Sequence, residues 1–151
     1  MNYRNLLILV ASLIVTVTLN AQTLTSPRIG LGIIYGGSSQ GGMSEFALAQ
    51  DLSDLFTLNF RYGTNYKTRS KFGGGVEVTS FIIGRFSPSI GLEYYYNIQD
   101  KSLFGVSEIQ KFGNWDVPIM LNYKVSDRFN IGLGGVMSSH NSIRLNTYYK
   151  F

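Results

Sequence analysis

The segment "RLNTYYKF" (Arg144–Phe151) alternates polar and apolar side chains up to the last residue of the chain. Successive side chains of a β-strand point to opposite faces, so this period of two predicts a strand with one apolar face. Extended back by one step, the apolar face comprises Ile143, Leu145, Thr147, Tyr149 and Phe151. A terminal segment of a water-soluble domain normally frays. We therefore expect this strand to be held by neighbours or by a non-aqueous solvent.

The composition indicates β-structure that contacts something other than water. The chain has 151 residues, of which 15% are charged and 14% aromatic, with 17 glycines. Soluble globular chains have a charged fraction of about 25%. The absence of cysteine excludes disulfides and thiolate chemistry, and the net charge of +4 is dispersed, which argues against nucleic acid. We expect one domain, with no metal and no cofactor.

The first 21 residues have the layout of a secretory signal peptide. Arg4 precedes an uncharged apolar run, Leu6–Leu19, and the small residue Ala21 follows it. That run is shorter than the roughly 20 residues that a membrane-spanning helix needs. We therefore expect residues 1–21 to be removed on export and residues 22–151 to form a single domain.

The same two-residue period recurs in seven further segments, which predicts eight strands. The segments are 28–35, 45–50, 55–63, 72–86, 90–97, 114–124 and 128–135. Alternation breaks within 72–86, so we expect a bulge near Thr79–Ser80, and Pro118 predicts a second bulge because proline lacks the ladder donor. Short turns ("DLSD", "SPS", "VSDR") alternate with longer loops, the longest at 98–111. This pattern predicts an all-β fold, an eight-stranded antiparallel up-and-down transmembrane β-barrel.

Alternation leaves open which face is inside, and a soluble lipocalin-like barrel with an apolar cavity is the competing fold. Glycine and alanine interleaved with charges suit the narrow bore of an eight-stranded barrel, whereas the aromatic face would overfill it. We expect the lumen to hold Arg28, Glu45, Arg61, Glu77, Glu93, Asp116 and Arg144. Because unpaired buried charges are unfavourable, these should pair into a polar plug. A narrow porin is the alternative.

The aromatic residues sort by their height along the strands. If the first strand starts in the periplasm, Tyr35, Tyr62, Tyr96 and Trp115 lie near the outer rim. Phe56, Tyr123, Phe129, Tyr149 and Phe151 then lie near the inner rim. Two aromatic girdles around an aliphatic band are typical of outer-membrane barrels.

The final strand, which ends in Phe151, resembles that of bacterial outer-membrane proteins of the small OmpA-like type. The segment "NWDVPIMLNYKVSDRFNIGLGG" (114–135) also resembles the aromatic–x–x–Pro strand of PorT-like barrels of Bacteroidota. The resemblance implies a multi-pass outer-membrane protein, monomeric, with both termini periplasmic, surrounded by lipid and lipopolysaccharide. It also implies periplasmic chaperones and a barrel assembly machinery that reads Leu145, Tyr149 and Phe151.

Two loop motifs suggest chemistry. Lys67, Arg69 and Lys71 lie in a loop that would face outward, where they could contact lipopolysaccharide phosphates. His140 and Ser142 resemble the His–x–Ser pair of lipid A deacylases, but no acid follows in 143–151 to orient the histidine. We therefore expect no enzyme, and a structural, adhesive or accessory role instead.

The last residue generates a first testable prediction. Phe151→Ala should reduce insertion in cells much more than it reduces the stability of barrels already formed, because one interfacial aromatic contributes only about 1.5–3 kcal/mol by burial. The measurements are the amount of assembled protein in outer membranes and the unfolding of refolded protein. Lys150→Ala is the control. Equal assembly of the two variants would show that Phe151 is an ordinary lipid-facing residue.

Overall fold

The computed structural model describes residues 27–36, 42–65, 68–103, 106–139 and 141–151. Its eight strands are β1 (Arg28–Gly36), β2 (Gly42–Asp51), β3 (Phe56–Thr64), β4 (Arg69–Thr79), β5 (Phe86–Leu103), β6 (Val106–Lys124), β7 (Phe129–Met137) and β8 (Ser142–Lys150). Neighbouring strands pair antiparallel, and β1 pairs with β8 to close a barrel. The predicted all-β, eight-stranded barrel is confirmed, while residues 1–21 lie outside the described residues. No helix in the described part of the chain is long and apolar enough to span a membrane.

The closing seam explains how the last strand is held. β8 pairs with β1 from Arg28↔Lys150 to Gly36↔Ser142, and it pairs with β7 along its other edge. Tyr149 therefore lies opposite Ile29 on one side and Phe129 on the other. With neighbours on both edges, the backbone of β8 has a ladder on each side, which is what prevents fraying.

The connection between β4 and β5 differs from the prediction. A single strand over 72–86 is wrong, because β4 ends at Thr79 and the chain turns at Gly84–Arg85, where Gly84 has φ +59°. Ser80 bonds to Pro88 and Ile83 to Phe86, so the ladder gains one residue around 81–82. The bulge thus lies two residues beyond the predicted position. "SPS" is part of β5 because the Gly84 turn already reverses the chain.

The long loop predicted at 98–111 is also wrong. β5 runs to Leu103 and β6 begins at Val106, and their ladder continues to Leu103↔Val106. These two strands have 18 and 19 residues, twice the 9 of β1, β3, β7 and β8. The residues that resembled a loop instead extend the β5–β6 ladder beyond the pairs that these two strands make with β4 and β7.

Pro118 does not produce the bulge that we predicted. β6 keeps one register with β5 on both sides of it, from Phe86↔Tyr123 to Leu103↔Val106, and pairs continuously with β7 from Val117 to Lys124. Only the β5 ladder is interrupted, between Ile90↔Ile119 and Glu93↔Asp116. The missing donor therefore leaves a local gap, and the buried proline ring fills the lumen opposite Gly91.

The apolar face points outward, which rules out the lipocalin-like alternative. Leu31, Ile90 and Leu133 are each about half exposed, whereas the inward Arg61 and Glu93 are buried at 1% and 0%. Soluble monomers rarely expose contiguous apolar surface beyond a few hundred Å². Here the apolar surface surrounds the barrel, so the fold is inside-out relative to a soluble protein.

Lumen glycines provide the space for the large inward side chains. In the ladders, Gly73 lies opposite both Arg61 and Tyr95, and Gly75 lies opposite Glu93. On the closing seam, Gly30 lies opposite Tyr148 and Gly134 opposite Arg144. An eight-stranded bore is just wide enough to be filled by side chains. Large residues on one strand therefore require glycine on the next.

Gly75 gives a stability test of this packing. A Cβ at Gly75 would overlap the Leu92 carbonyl oxygen of the neighbouring strand, whereas a Cβ at Gly135 would meet nothing within 4 Å. Gly75→Ala should lower the free energy of unfolding by about 1–3 kcal/mol, the usual effect of overpacking. Gly135→Ala should be neutral or slightly stabilising. Reversible urea unfolding from lipid vesicles measures both, and equal effects would contradict the close strand approach.

Candidate functional site

Six charged side chains from six strands meet in the middle of the lumen. This set, hereafter the central network, comprises Glu45 (β2), Arg61 (β3), Lys71 (β4), Glu93 (β5), Asp116 (β6) and Arg144 (β8). Their side chains are at most 7% exposed. Three cations face three carboxylates, so the network carries no formal net charge.

Glu93 is the most completely bonded carboxylate of the central network. Arg61 Nε donates to its Oε1 at 2.9 Å, and Arg144 Nη1 donates to its Oε2 at 2.8 Å. The Tyr95 hydroxyl donates to Oε2 at 2.9 Å. Arg61 of β3 and Arg144 of β8 thus share one carboxylate through charge-assisted hydrogen bonds, which are stronger than neutral ones.

Glu45 contacts all three cations of the central network. Arg144 Nε lies 3.1 Å from its Oε2, Lys71 Nζ lies 3.4 Å from its Oε1, and Arg61 Nη1 is at 3.7 Å. Lys71 Nζ is also 3.6 Å from Asp116 Oδ2. Lys71 therefore bridges the carboxylates of Glu45 and Asp116, and it is the third cation that balances the three carboxylates of the network.

Two buried tyrosines complete the site. Arg61 Nη2 donates to the Tyr148 hydroxyl at 2.7 Å, and Arg144 Nη2 donates to the Tyr95 hydroxyl at 3.0 Å. The Lys71 ammonium lies 4.1 Å from the centroid of the Tyr95 ring, within cation–π range. Sequence reasoning missed both tyrosines. The two-residue period could have placed both in the lumen, because Tyr95 is two residues from Glu93 and Tyr148 is four residues from Arg144, so each lies on the inward face of its strand.

The other predicted lumen charges lie nearer the rim that carries the termini. Arg28 forms an ion pair with Asp51 and donates to the Thr57 hydroxyl at 3.1 Å, with about a fifth of the ion pair exposed. Glu77 accepts from Asn59 at 3.1 Å and is also bonded by Ser89 and Asn122. All seven predicted residues face inward, but only five belong to the central network.

The predicted lipopolysaccharide loop is corrected by the structure. Lys71 lies in β4 with its side chain in the lumen, so it does not face outward. Arg69 donates to Asn97 at 3.0 Å and stacks over Phe112 at 5.7 Å, and Lys67 lies outside the described residues. The prediction took three cations within five residues as the mark of an exposed loop. The inward face of the strands in this barrel also carries charges, so charge density does not distinguish a loop from a strand here.

The predicted girdle residues lie on the outward face, and so does Leu145, the third residue of the proposed assembly signal. Tyr35, Trp115 and Phe151 are more than half exposed. The band between the girdles is not purely aliphatic, because Phe46 and Phe60 also lie in mid-strand. A role of Leu145, Tyr149 and Phe151 in assembly stays a prediction.

The deacylase-like residues and metal ligands can be placed only in part. Ser142 begins β8, and His140 lies outside the described residues. Among the described residues, no group of three His, Cys, Asp or Glu could hold a metal ion. The described site therefore consists of ion pairs and hydroxyls, an arrangement that can fill and close a bore.

Comparison with known proteins shows a shared fold. No family model matches the sequence, and no curated protein matches it either. The N-terminal β-barrel domain of Pseudomonas aeruginosa OprF has a TM-score of 0.71 at 12% identity, over 84% of this chain and 98% of that one. Neisserial surface protein A has a TM-score of 0.67 at 15% identity, over 86% of this chain and 100% of that one.

A de novo designed transmembrane β-barrel is similar to the same degree. Its TM-score is 0.68 at 14% identity, over 86% of this chain and 98% of that one. At such identities the likeness shows the fold alone, that of small eight-stranded transmembrane-type barrels. Because a designed chain shares this fold, the fold by itself assigns no activity.

Arg61 provides the test of the central network. Replacing it by methionine leaves Glu93 and Glu45 buried with fewer cations, so Arg61→Met should lower the free energy of unfolding by about 3–5 kcal/mol. Arg28→Met, at the partly exposed rim pair, should lower it by about 1 kcal/mol or less. Urea unfolding from lipid measures both. A loss under about 0.5 kcal/mol for Arg61→Met would contradict a buried, paired arginine.

Proposed function

We propose that this chain is an integral outer-membrane β-barrel protein with a closed lumen and a structural, adhesive or accessory role. The observation that carries the proposal is the central network, which joins six strands across the bore. We also propose that the protein is not an enzyme, since the charged side chains of the central network are buried and paired with one another.

The closed lumen follows from the burial and pairing of the network. Arg61, Glu93 and Arg144 are no more than 1% exposed, and each bonds at least two other side chains. An ion passing through would have to separate these pairs in a low-dielectric bore, where unpaired charges are strongly unfavourable. The same geometry disfavours the narrow porin.

The outer-membrane location is supported by the outward apolar surface and by the predicted export signal in residues 1–21. A closed barrel satisfies every backbone group within the sheet, as a lipid environment requires. The ends of β1 and β8 lie at the rim of the short turns 52–55 and 125–128. We propose that this rim is periplasmic, with both termini there, because the opposite rim carries the extension of β5 and β6, and the longer excursions of such barrels lie on the extracellular side.

The proposal also covers the binding partners of the barrel and its family. We propose that outer-membrane lipid and lipopolysaccharide surround the barrel and that chaperones and the assembly machinery deliver it. Lys71 makes no contribution to lipopolysaccharide contact. A monomer is the simplest state, because the barrel closes on itself within one chain. The PorT-like kinship is supported only by the segment 114–135.

Planar-bilayer recording tests the closed lumen. Purified protein should give no steady ohmic steps in molar KCl, because the network leaves no aqueous path. Heat-modifiable migration of the same sample on gels shows that the barrel is folded, so that silence is not a failure to insert. Large, steady steps from folded wild-type protein would overturn the closed lumen in favour of the porin.

A further inference from the structure

The extension of β5 and β6 leaves part of β6 without a described neighbour on one side. β6 pairs with β5 in one register, with a gap at Pro118, but its ladder with β7 begins only at Val117↔Met137. Among the described residues, no strand lies beside β6 on the β7 side beyond Val117. The edge of residues 108–114, hereafter the β6 edge, therefore has no partner strand among the residues that the structure describes.

The register shows which main-chain groups face outward along the β6 edge. In an antiparallel ladder, the N–H and C=O of one residue point to the same side, and the side alternates along the strand. Lys124 N–H donates to the Arg85 carbonyl, so even-numbered residues of β6 face β5. Since β6 has no register shift, Ile109, Lys111 and Gly113 direct their N–H and C=O groups to the open edge.

We propose that the β6 edge binds an extended polypeptide segment of another protein by β-strand addition. Main-chain hydrogen bonds would supply the affinity and alternate side chains the specificity. Natural proteins usually blunt such edges, so a long exposed one serves as a template for pairing. The proposal deepens the adhesive or accessory role and rests on the outer-membrane placement only for the side from which the partner comes.

The side chains beside the edge define the chemistry of the partner. Ile109 and Trp115 are 62% and 59% exposed on the outward face, with Lys111 and Gly113 exposed between them. An added strand would place apolar residues opposite Ile109 and Trp115 and an acid opposite Lys111, since cross-strand pairs of opposite charge are favourable. The Tyr94 side chain covers Gly113, and its hydroxyl group fills the position that a Cβ at Gly113 would take.

A second copy of this chain fits the edge less well. Two barrels in one membrane are related by rotation about the membrane normal, which makes equivalent strands run in the same direction. The joined edges would then form a parallel ladder, with the two Lys111 side chains on opposite faces of the joined sheet. Parallel pairing is slightly less stable per residue than antiparallel pairing. A different chain can add in the antiparallel direction and can carry the acid that Lys111 favours.

The test uses the full-length mature protein, ¹⁵N-labelled and folded in lipid nanodiscs. The probe is a nine-residue peptide, Thr-Val-Thr-Phe-Thr-Glu-Thr-Val-Thr. Without peptide, the amides of Ile109, Lys111 and Gly113 should exchange with deuterium faster than those of Gln110 and Phe112, which face β5. With peptide, the three edge amides should become protected. Edge amides that are slow without peptide would show that the edge is already covered and would overturn the proposal.

Matched variants separate main-chain pairing from charge. Lys111→Pro removes an edge donor at a position where proline is tolerated, and it should weaken peptide binding by about tenfold or more through lost hydrogen bonds. Lys111→Ala keeps the donor and should weaken binding by only a few-fold. Equal binding by the proline variant and wild type, or no protection by the peptide, would overturn the inference.

The state of the barrel distinguishes the two proposals. Protein that is heat-modifiable and monomeric, yet leaves the edge amides unprotected by peptide, contradicts the β6 edge inference alone. Protein that does not insert at all contradicts the proposed function. A dimer that Lys111→Pro converts to a monomer would assign the edge to a second copy and would overturn the heterologous partner.

Discussion

Ion pairs across the bore hold this barrel together, and the rest of the structure depends on them. Arg144 on β8 and Arg61 on β3 share Glu93 on β5, so strands far apart in the sheet are joined through the lumen. Each charge is acceptable there only because the opposite charges lie beside it. Glu45 and Lys71 extend the pairing, and the network is neutral as a unit. The filling of the bore and the pairing of its charges therefore have one cause.

The glycines and the lipid-facing side chains follow from the same constraint. A bore filled with arginines and tyrosines has no room for side chains on the opposing strands, so glycines such as Gly73 and Gly75 must stand opposite the large residues. The apolar residues then have only the outer face left to them. The barrel is thus polar on its inner face and apolar on its outer face. The outer face is apolar because the polar side chains already fill the lumen. Only the β5–β6 hairpin departs from this plan, because its strands continue beyond the ladders that close the barrel.

Much of this architecture could be predicted from alternation, and the errors have physical explanations. Period two marked the strands and put Arg61, Glu93 and Arg144 on one face. Alternation is weak where both faces are polar, so the hairpin at 98–111 and the lumen residue Lys71 resembled loops. The partners within the lumen could not be predicted, because they depend on shear between strands that one sequence does not show. Tyr95 was hidden between two lipid-facing tyrosines.

Exchange of the arginine side chains with water tests the central claim most directly. In lipid nanodiscs, NMR of selectively labelled arginine follows the Nε–H protons after transfer to D₂O. The account predicts that Arg61 and Arg144, buried and ion-paired, exchange orders of magnitude more slowly than the exposed Arg128. Exchange of Arg61 and Arg144 as fast as that of Arg128 would show that water reaches the middle of the bore, and it would contradict a closed, paired lumen.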